Sequence, residues 1–153
     1  MSFSRNGFTT KERQKWMSVL SKSSSQELEG AWQGISEKPD YQHLRKPETG
    51  IIMVRARAGG SGLRFNFGEM TVTRCTVKTD EGYVGCAYVM GRDHRHAELA
   101  ALFDALLQNP GYKLKILNMV ILKLKVSREK RKEMISKKSA ATKVDFFTMV
   151  RGD

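Results

Sequence analysis

Histidine is the residue type in this chain best suited to metal binding or proton transfer, and two of the three histidines lie close together. His94 and His96 are two positions apart, and residues at i and i+2 of a helix do not share a face, so they are not expected to chelate one ion. His43 is distant in sequence, so no metal site is predicted. Asp93 instead marks a helix start through its capping side chain. The alternative is that Arg92 or His96 binds an anion there, because backbone amides at a helix start favour negative charge.

A glycine-rich segment, Ala58–Gly62, is the second candidate for chemistry. Gly59, Gly60 and Gly62 would let backbone amides approach a phosphate, which makes the segment a candidate anion-binding nest. It lacks the lysine and hydroxyl of a phosphate-binding P-loop and does not open a clear helix, so that type of nucleotide site is excluded. A hairpin turn or a site of close backbone packing is the preferred interpretation.

Catalytic groups are not evident elsewhere in the sequence. No local motif pairs a nucleophile with a base, and the closely spaced cysteines of a radical iron-sulfur enzyme are missing. Cys75 and Cys86 are eleven positions apart, which fits no metal pattern, and both are interpreted as free core thiols. A hairpin between them could place the two side chains opposite each other. No catalytic residue is assigned.

The composition indicates one domain with a genuine core, spanning residues 1–153. A chain of 153 residues with 40% hydrophobic residues is expected to bury roughly 68 to 70% of its unfolded surface. No run approaches the ~18 consecutive apolar residues of a membrane span, and the first 25 residues lack the apolar stretch of a secretory signal. A cytoplasmic protein without membrane contact is therefore expected.

Most of the net charge of +11 lies in one segment. Lys113–Lys143 contains eleven Lys or Arg and two Glu, a balance of eleven minus two, or +9. Such a field attracts nucleic acid, acidic proteins or polyphosphate substrates. A solvated, lysine-rich helix face that aids solubility is the alternative.

Capping signals predict two helices near the N-terminus, after about eight flexible residues. Thr9 with Glu12 and Ser24 with Glu27 have the spacing of capping boxes, in which side chain and backbone satisfy each other. Gly34 is placed to end the second helix in a left-handed conformation. The apolar positions expected on the buried faces are Trp16, Val19, Leu20, Leu28, Ala31, Trp32 and Ile35.

From Tyr41 onward the spacing of apolar residues changes from the helical period to that of β-strands. The predicted strands are Tyr41–Arg45, Ile51–Arg57, Met70–Lys78 and Tyr83–Met90. Lys46–Gly50 and Thr79–Gly82 between them are turn sequences, and short connections force antiparallel neighbours. Leu63–Phe67 either adds a strand or leads through Gly68 into the third run. The sequence therefore predicts an α+β fold with an antiparallel meander of four to five strands and helices on one side of the sheet.

A helix after the last strand and a C-terminal helical arm complete the prediction. Asp93 caps that helix, and Asn109–Gly111 should stop it. Its apolar stripe is Leu99, Ala100, Phe103, Leu106 and Leu107. In Leu122–Val126, apolar residues alternate with lysines, so this run is interpreted as an extended edge segment. Ser127 then caps a helix to about Ala141 that carries few apolar side chains.

The chain ends on apolar residues where a free terminus is usually polar and frayed. This ending and the sparse helix before it make residues 112–153 a candidate arm that is ordered by docking on a partner. Folding back onto the chain's own domain is the alternative. The residues predicted for the partner interface are Phe146, Phe147, Met149, Val150 and Arg151.

Three segments resemble the PhnG family, the G subunit of the bacterial phosphonate carbon-phosphorus lyase core complex. Val144–Asp153 is similar to the family's closing signature. Gly91–Glu98 is similar to its Gly-Arg-Asp segment, and Glu48–Gly50 with the following Ile51–Arg57 and Gly59–Gly62 is similar to its glycine-loop segment. The resemblance spans nearly the whole chain, while the lysine density of the C-terminal segment is not part of it.

The resemblance implies a subunit without catalytic residues of its own. It implies a core assembly with the H, I and J subunits, and action with the H, I and L proteins in transferring an alkylphosphonate to the ribose C1′ of ATP with release of adenine. ATP and alkylphosphonate are then substrates of the complex, and no cofactor is expected on this chain. The J subunit later cleaves the carbon-phosphorus bond with S-adenosylmethionine and an iron-sulfur cluster.

Two other functions compete with this hypothesis. The +9 segment would suit a small basic nucleic-acid-binding protein, although nucleic acid is not the partner that the resemblance implies. A standalone enzyme is the third, and turnover of ATP and methylphosphonate by the isolated chain would establish it.

Overall fold

The computed structural model describes residues 7–142, which form an α+β fold around a three-stranded antiparallel sheet ordered β1-β2-β3. The strands are β1 (Tyr41–Arg57), β2 (Arg64–Thr79) and β3 (Val84–Met90). The helices are α1 (Thr10–Lys22), α2 (Ser25–Gln33), α3 (His94–Gln108), α4 (Pro110–Ile116) and α5 (Leu122–Ala141), with a π-helical turn, Leu117–Ile121, between the last two. The α+β class and the antiparallel meander are confirmed.

The sheet has three strands, not the predicted four to five, because predicted strands merge into longer ones. Tyr41–Arg45 and Ile51–Arg57 both lie in β1, and the predicted turn Lys46–Gly50 is extended backbone within that strand. Register shifts along β1 absorb the irregular sequence as β-bulges. Pro47 is tolerated because β1 is an edge strand, where a missing backbone donor breaks no ladder.

β2 is also longer than predicted. The run Leu63–Phe67 leads through Gly68 into Met70–Lys78, which was one of the two predicted outcomes. The turn predicted at Thr79–Gly82 is confirmed and carries the chain into β3. β3 pairs only with the part of β2 from Val72 onward, so the first half of β2 pairs with β1 alone.

The two cysteines lie on opposite faces of the sheet. Cys75 pairs with Ala87, and Cys86 pairs with Thr76. Since consecutive strand residues point to opposite faces, the idea that the cysteines face each other is wrong. Both are free thiols, Cys75 buried and Cys86 half-buried, as predicted for core cysteines. Burial raises the pKa of the Cys75 thiol to about 11.

Both N-terminal helices start as the sequence predicts. The amide of Thr9 donates to the Glu12 carboxylate at 2.7 Å, and Ser24 with Glu27 forms the same reciprocal box. Gly34 does end α2, but its φ is −75°, so the predicted left-handed conformation is wrong. Its amide simply continues the helical hydrogen-bond pattern. The side chains buried as predicted are Trp16, Val19, Leu20, Leu28, Trp32 and Ile35.

α3 is the centre of the core. Asp93 caps it by accepting a hydrogen bond from the His96 amide at 2.9 Å. The predicted apolar stripe is buried, but burial extends around the whole helix, because the sheet lies on one side and α1, α2 and α4 lie on others. Asn109 ends α3 as predicted and also caps α4, where its side chain accepts from the Gly111 amide.

The prediction of an extended segment at Leu122–Val126 is wrong, because these residues are helical. Leu122 and Val126, which produced the alternating pattern, are exposed. Ser127 lies inside α5, not at its start, and its hydroxyl donates to Glu27 of α2. The buried side chains of this segment recur with helical spacing. They are Ile116, Val120, Ile121 and Leu124.

The first part of the segment 112–153, which is predicted as a docking arm, therefore packs in this chain's own core. Its side chains become exposed along α5. Arg131, one turn after Ser127, still donates to Glu27 at 2.9 Å. From residue 132 to residue 142 every side chain is exposed. Docking of the arm on a partner stays a prediction.

Candidate functional site

A hydrogen-bonded chain of side chains lies where β3 leads into α3. The Thr73 hydroxyl donates to the Gly91 carbonyl at 2.7 Å, so it accepts from the Thr49 hydroxyl, 3.1 Å away. Thr49 has then used its only proton, and it accepts from His94 Nε2 at 3.0 Å. The contacts therefore assign the Nε2 proton to His94 and leave Nδ1 for solvent or a ligand.

A second polar network surrounds Glu98, one turn further along α3. Its carboxylate accepts from Tyr41 at 3.0 Å, lies 2.9 Å from His43 Nε2 and pairs with Arg95 at 2.8 Å. Arg95 also pairs with Glu29 of α2 at 2.8 Å, and this hydrogen bond raises its pKa. Partial burial opposes ionisation of Glu98, but the hydrogen bonds from Arg95 and Tyr41 outweigh burial, and the pKa of Glu98 lies below its ordinary 4.5. The network ties β1, α2 and α3 together.

Asp104 is the most deeply buried charge among residues 7–142, at 0% exposure. Its carboxylate accepts from Arg13 at 2.7 Å, from the Trp16 indole at 2.8 Å and from the Cys86 backbone amide at 3.0 Å. The bond to Asp104 raises the pKa of Arg13. Gln108 completes the group at 3.4 Å. Sequence reasoning missed this cluster, although an acid inside the apolar stripe of α3 was the signal.

The two residues predicted to bind an anion at the start of α3 have different environments. His96 is buried, its Nε2 lies 2.9 Å from the Leu20 carbonyl, and its amide is used by the Asp93 cap. Arg92 is exposed and makes no hydrogen bond or ion pair with the other described residues. Of the two, only Arg92 presents its side chain to solvent.

The glycine-rich segment forms the tight turn between β1 and β2. Gly59 and Gly60 have φ values of 59° and 80°, in the left-handed region that favours glycine. The Gly62 amide donates to the Ala58 carbonyl at 2.8 Å, and a Cβ at Gly62 would lie 2.6 Å from that oxygen. The geometry is that of the hairpin interpretation, and the Gly62 amide is already used within the turn.

The two predicted anion-binding segments do not form one site. The Gly91 amide donates to Thr71 of β2 at 2.9 Å, whereas the glycine turn lies next to Arg64, at the start of the same strand. Seven residues of extended strand at about 3.3 Å each place them roughly 23 Å apart.

The lysine-rich segment contributes to a cleft of about 680 Å³ between α1 and α5. Its basic lining residues are Lys11, Lys15, Lys125 and Arg128, and Glu129 is the acid among them. Part of the positive charge therefore lines a groove that α1 shares, which sequence reasoning did not anticipate. Within residues 7–142 no group of three or more His, Cys, Asp or Glu could hold a metal ion. Nor does any helix in that range have the length and apolarity to cross a membrane.

The predicted interface residues of the tail lie outside the described residues. They are Phe146, Phe147, Met149, Val150 and Arg151. In the described part, Glu98 and Asp104 are each engaged by a cation and hold helices to the sheet. The fold and these contacts define a small basic α+β protein in which both carboxylates hold helices to the sheet.

Comparison with known proteins places the chain in a family. The family described as phosphonate metabolism protein PhnG matches residues 11–152. A curated relative from Rhizobium meliloti (strain 1021), alpha-D-ribose 1-methylphosphonate 5-triphosphate synthase subunit PhnG, is 41% identical over 144 residues, which cover 93% of this chain and 90% of the relative. The chain belongs to the PhnG family of phosphonate metabolism proteins, and the resemblance recognised in its sequence is confirmed.

Proposed function

We propose that this chain is a non-catalytic subunit of an alpha-D-ribose 1-methylphosphonate 5-triphosphate synthase in phosphonate utilisation. The observation that carries the proposal is the 41% identity, over 93% of the chain, to a subunit bearing that name. In the proposed reaction the complex transfers an alkylphosphonate to the ribose C1′ of ATP and releases adenine. Both substrates bind at centres on partner chains, and this chain holds no cofactor.

The proposed partners are the H, I and J subunits of the core assembly, together with the L protein. The segments Gly91–Glu98 and Glu48–Gly50, which carry the resemblance to the G subunit, support this assignment. The internal use of the polar side chains supports a role through assembly. Arg13 pairs with Asp104 and Arg95 pairs with Glu98, so both carboxylates are held by cations of this chain.

Adenine release from ATP and methylphosphonate tests the proposal. The purified H, I and L proteins would be incubated with ATP, with and without methylphosphonate and with and without this chain, and the methylphosphonate-dependent release of adenine would be measured by chromatography. We expect at least a tenfold fall in rate without the chain, a loss of about 1.4 kcal/mol or more of transition-state stabilisation, and no release by the chain alone. Adenine release by the isolated chain would establish a standalone enzyme instead, and an undiminished rate without the chain would contradict the subunit role.

A further inference from the structure

The hairpin of β1 and β2 extends beyond the rest of the sheet. β3 pairs with β2 only from Val72 onward, so residues 51–57 of β1 and 64–71 of β2 form a two-stranded ribbon. Seven steps from Arg64 to Thr71, at about 3.3 Å each, make it roughly 23 Å long. None of residues 51–71 is buried, and most of their side chains are exposed.

The ribbon exposes large apolar side chains on both faces. Ile51 and Ile52 are consecutive and therefore point to opposite faces, yet they are 67% and 40% exposed. Phe67 is 73% exposed and packs edge-to-face on Phe65, with ring centroids 6.3 Å apart. A two-stranded hairpin is marginally stable alone in water, and contiguous exposed apolar surface marks interaction sites. The exposed apolar surface of the ribbon is therefore typical of an interaction site.

The charge on the ribbon indicates what covers it. It carries Arg55, Arg57 and Arg64 against Glu69. None of the ion pairs between described residues involves residues 51–71. Arg55 and Arg57 donate instead to neutral oxygens of the ribbon and its turn, those of Asn66 and Gly62. A complementary surface is apolar at its centre and acidic at its rim.

A second copy of this chain does not meet that requirement. Two ribbons packed on each other would bring two sets of arginines together, and like charges across an interface are unfavourable. The net charge of +11 on each chain adds repulsion. A nucleic acid would satisfy the arginines and stack on the phenylalanines, but it would leave the aliphatic side chain of Ile51 in water.

We propose that the ribbon is an arm that inserts into an apolar groove, rimmed by Asp and Glu, on a different subunit of the synthase. This inference rests on the proposed function, because it requires that assembly. Phe65 and Phe67 are its apolar anchors, and Arg55 and Arg57 pair with the acidic rim. Aromatic and arginine side chains in desolvated contacts commonly dominate the affinity of such interfaces.

Competition between variant and wild-type chains for incorporation into the synthase measures how much the ribbon contributes to assembly. Tagged variant and untagged wild-type chains would be co-expressed with the other synthase subunits, and the assembled complex would be isolated through a tag on a partner subunit after nuclease treatment. The ratio of the two chains reports their relative affinity. We expect Phe65→Ala with Phe67→Ala to lower incorporation at least about 30-fold, the loss typical of one or more interface hot spots.

Two matched controls separate the ribbon from general surface effects. Leu44→Ala removes a β1 side chain outside the ribbon that is 55% exposed, between the exposures of Phe65 and Phe67, and should incorporate like wild type. Arg55→Glu with Arg57→Glu should lose incorporation, whereas Lys38→Glu with Lys46→Glu, the same charge change at exposed residues outside the ribbon, should not. Circular dichroism of each isolated variant must match wild type, which excludes misfolding as the cause.

The outcomes distinguish this inference from the function on which it rests. Wild-type incorporation with equal incorporation of the ribbon variants would overturn the ribbon's role and leave the subunit assignment intact. Failure of the wild-type chain to assemble, or assembly that nuclease destroys, would overturn both. A wild-type dimer in light scattering that the phenylalanine variant converts to monomer would identify a second copy as the occupant and contradict the proposal.

Discussion

Replacing Asp104 by Ala tests the claim that one buried carboxylate joins α1, α3 and β3. The carboxylate accepts from Arg13, from the Trp16 indole and from the Cys86 amide, and these donors come from two different elements. Alanine fits a helix interior well, so the backbone of α3 is not itself disfavoured. The change therefore isolates the loss of the acceptor.

The expected cost follows from the donors left behind. The Trp16 indole and the Cys86 amide lose a buried acceptor, at about 1 to 3 kcal/mol each. Arg13 is partly exposed and can turn its charge to water, so it adds little. The sum is about 2 to 6 kcal/mol, which agrees with the ~3 to 5 kcal/mol cost of removing one partner of a buried ion pair. At a central value of about 4 kcal/mol, Tm should fall by roughly 8 to 16 °C for a chain of this size.

Urea unfolding of the isolated chain, followed by tryptophan fluorescence, measures this free energy directly. Trp16 makes the signal sensitive to the site, because its indole loses its hydrogen bond in the variant. Glu48→Ala is the matched control, since Glu48 is likewise paired with arginine, here Arg45 and Arg74, but on the exposed face of the sheet. Exposed ion pairs are screened by water and salt, so this variant should unfold close to wild type. Equal losses for Asp104→Ala and Glu48→Ala would refute the argument that burial makes the Asp104 cluster important.

Three further predictions concern other parts of the fold. A Cβ at Gly85 would lie 1.9 Å from the Ala101 carbonyl oxygen, so Gly85→Ala should lower the free energy of unfolding by about 1 to 3 kcal/mol or more. The control is Gly30→Ala in α2, where the space around the glycine is open, and this variant should raise the free energy of unfolding by about 0.5 to 1 kcal/mol. Equal effects of the two variants would contradict the close packing of β3 on α3. The pKa of Glu98 is lowered by folding, so its contribution to stability is complete above its ordinary value of 4.5 and is lost as pH falls through the folded value. Glu98→Gln should therefore flatten the acid limb of the unfolding profile, and an unchanged limb would argue against the network. In a Cys86→Ser background, which removes the half-buried second thiol, the Cys75 thiol, with its pKa raised to about 11 by burial, should react with a thiol reagent at pH 8 only after unfolding, and rapid reaction in the folded state would contradict its placement.

Elements with complete local signals could be predicted from the sequence. The capping residues Thr9, Ser24 and Asp93 each lie next to the groups they satisfy, and all three helix starts are confirmed. The turn at Thr79–Gly82 is likewise local. The family was also recognisable, because short segments along nearly the whole chain carry the resemblance.

Elements that depend on distant partners could not be predicted. Whether Pro47 breaks a strand depends on whether that strand lies at an edge, which is set by the order of the whole sheet. The role of Asp104 depends on Arg13, which is 91 positions away. The alternation at Leu122–Val126 was misleading because, of its three apolar side chains, only Leu124 is buried. The sequence alone also could not show that His96 is buried against α1. The environment of this side chain, on which anion binding depends, is visible only in the structure.

Affinity purification of the tagged chain from cells growing on methylphosphonate as sole phosphorus source tests whether the chain is a subunit of the synthase. The lysate would be treated with nuclease and washed at high salt, since counterion release weakens nucleic-acid contacts steeply while apolar interfaces persist. We expect the other subunits of the synthase to copurify in fixed proportion to the chain after this wash. Recovery of the chain alone, together with tight binding to DNA or RNA at physiological salt, would contradict it.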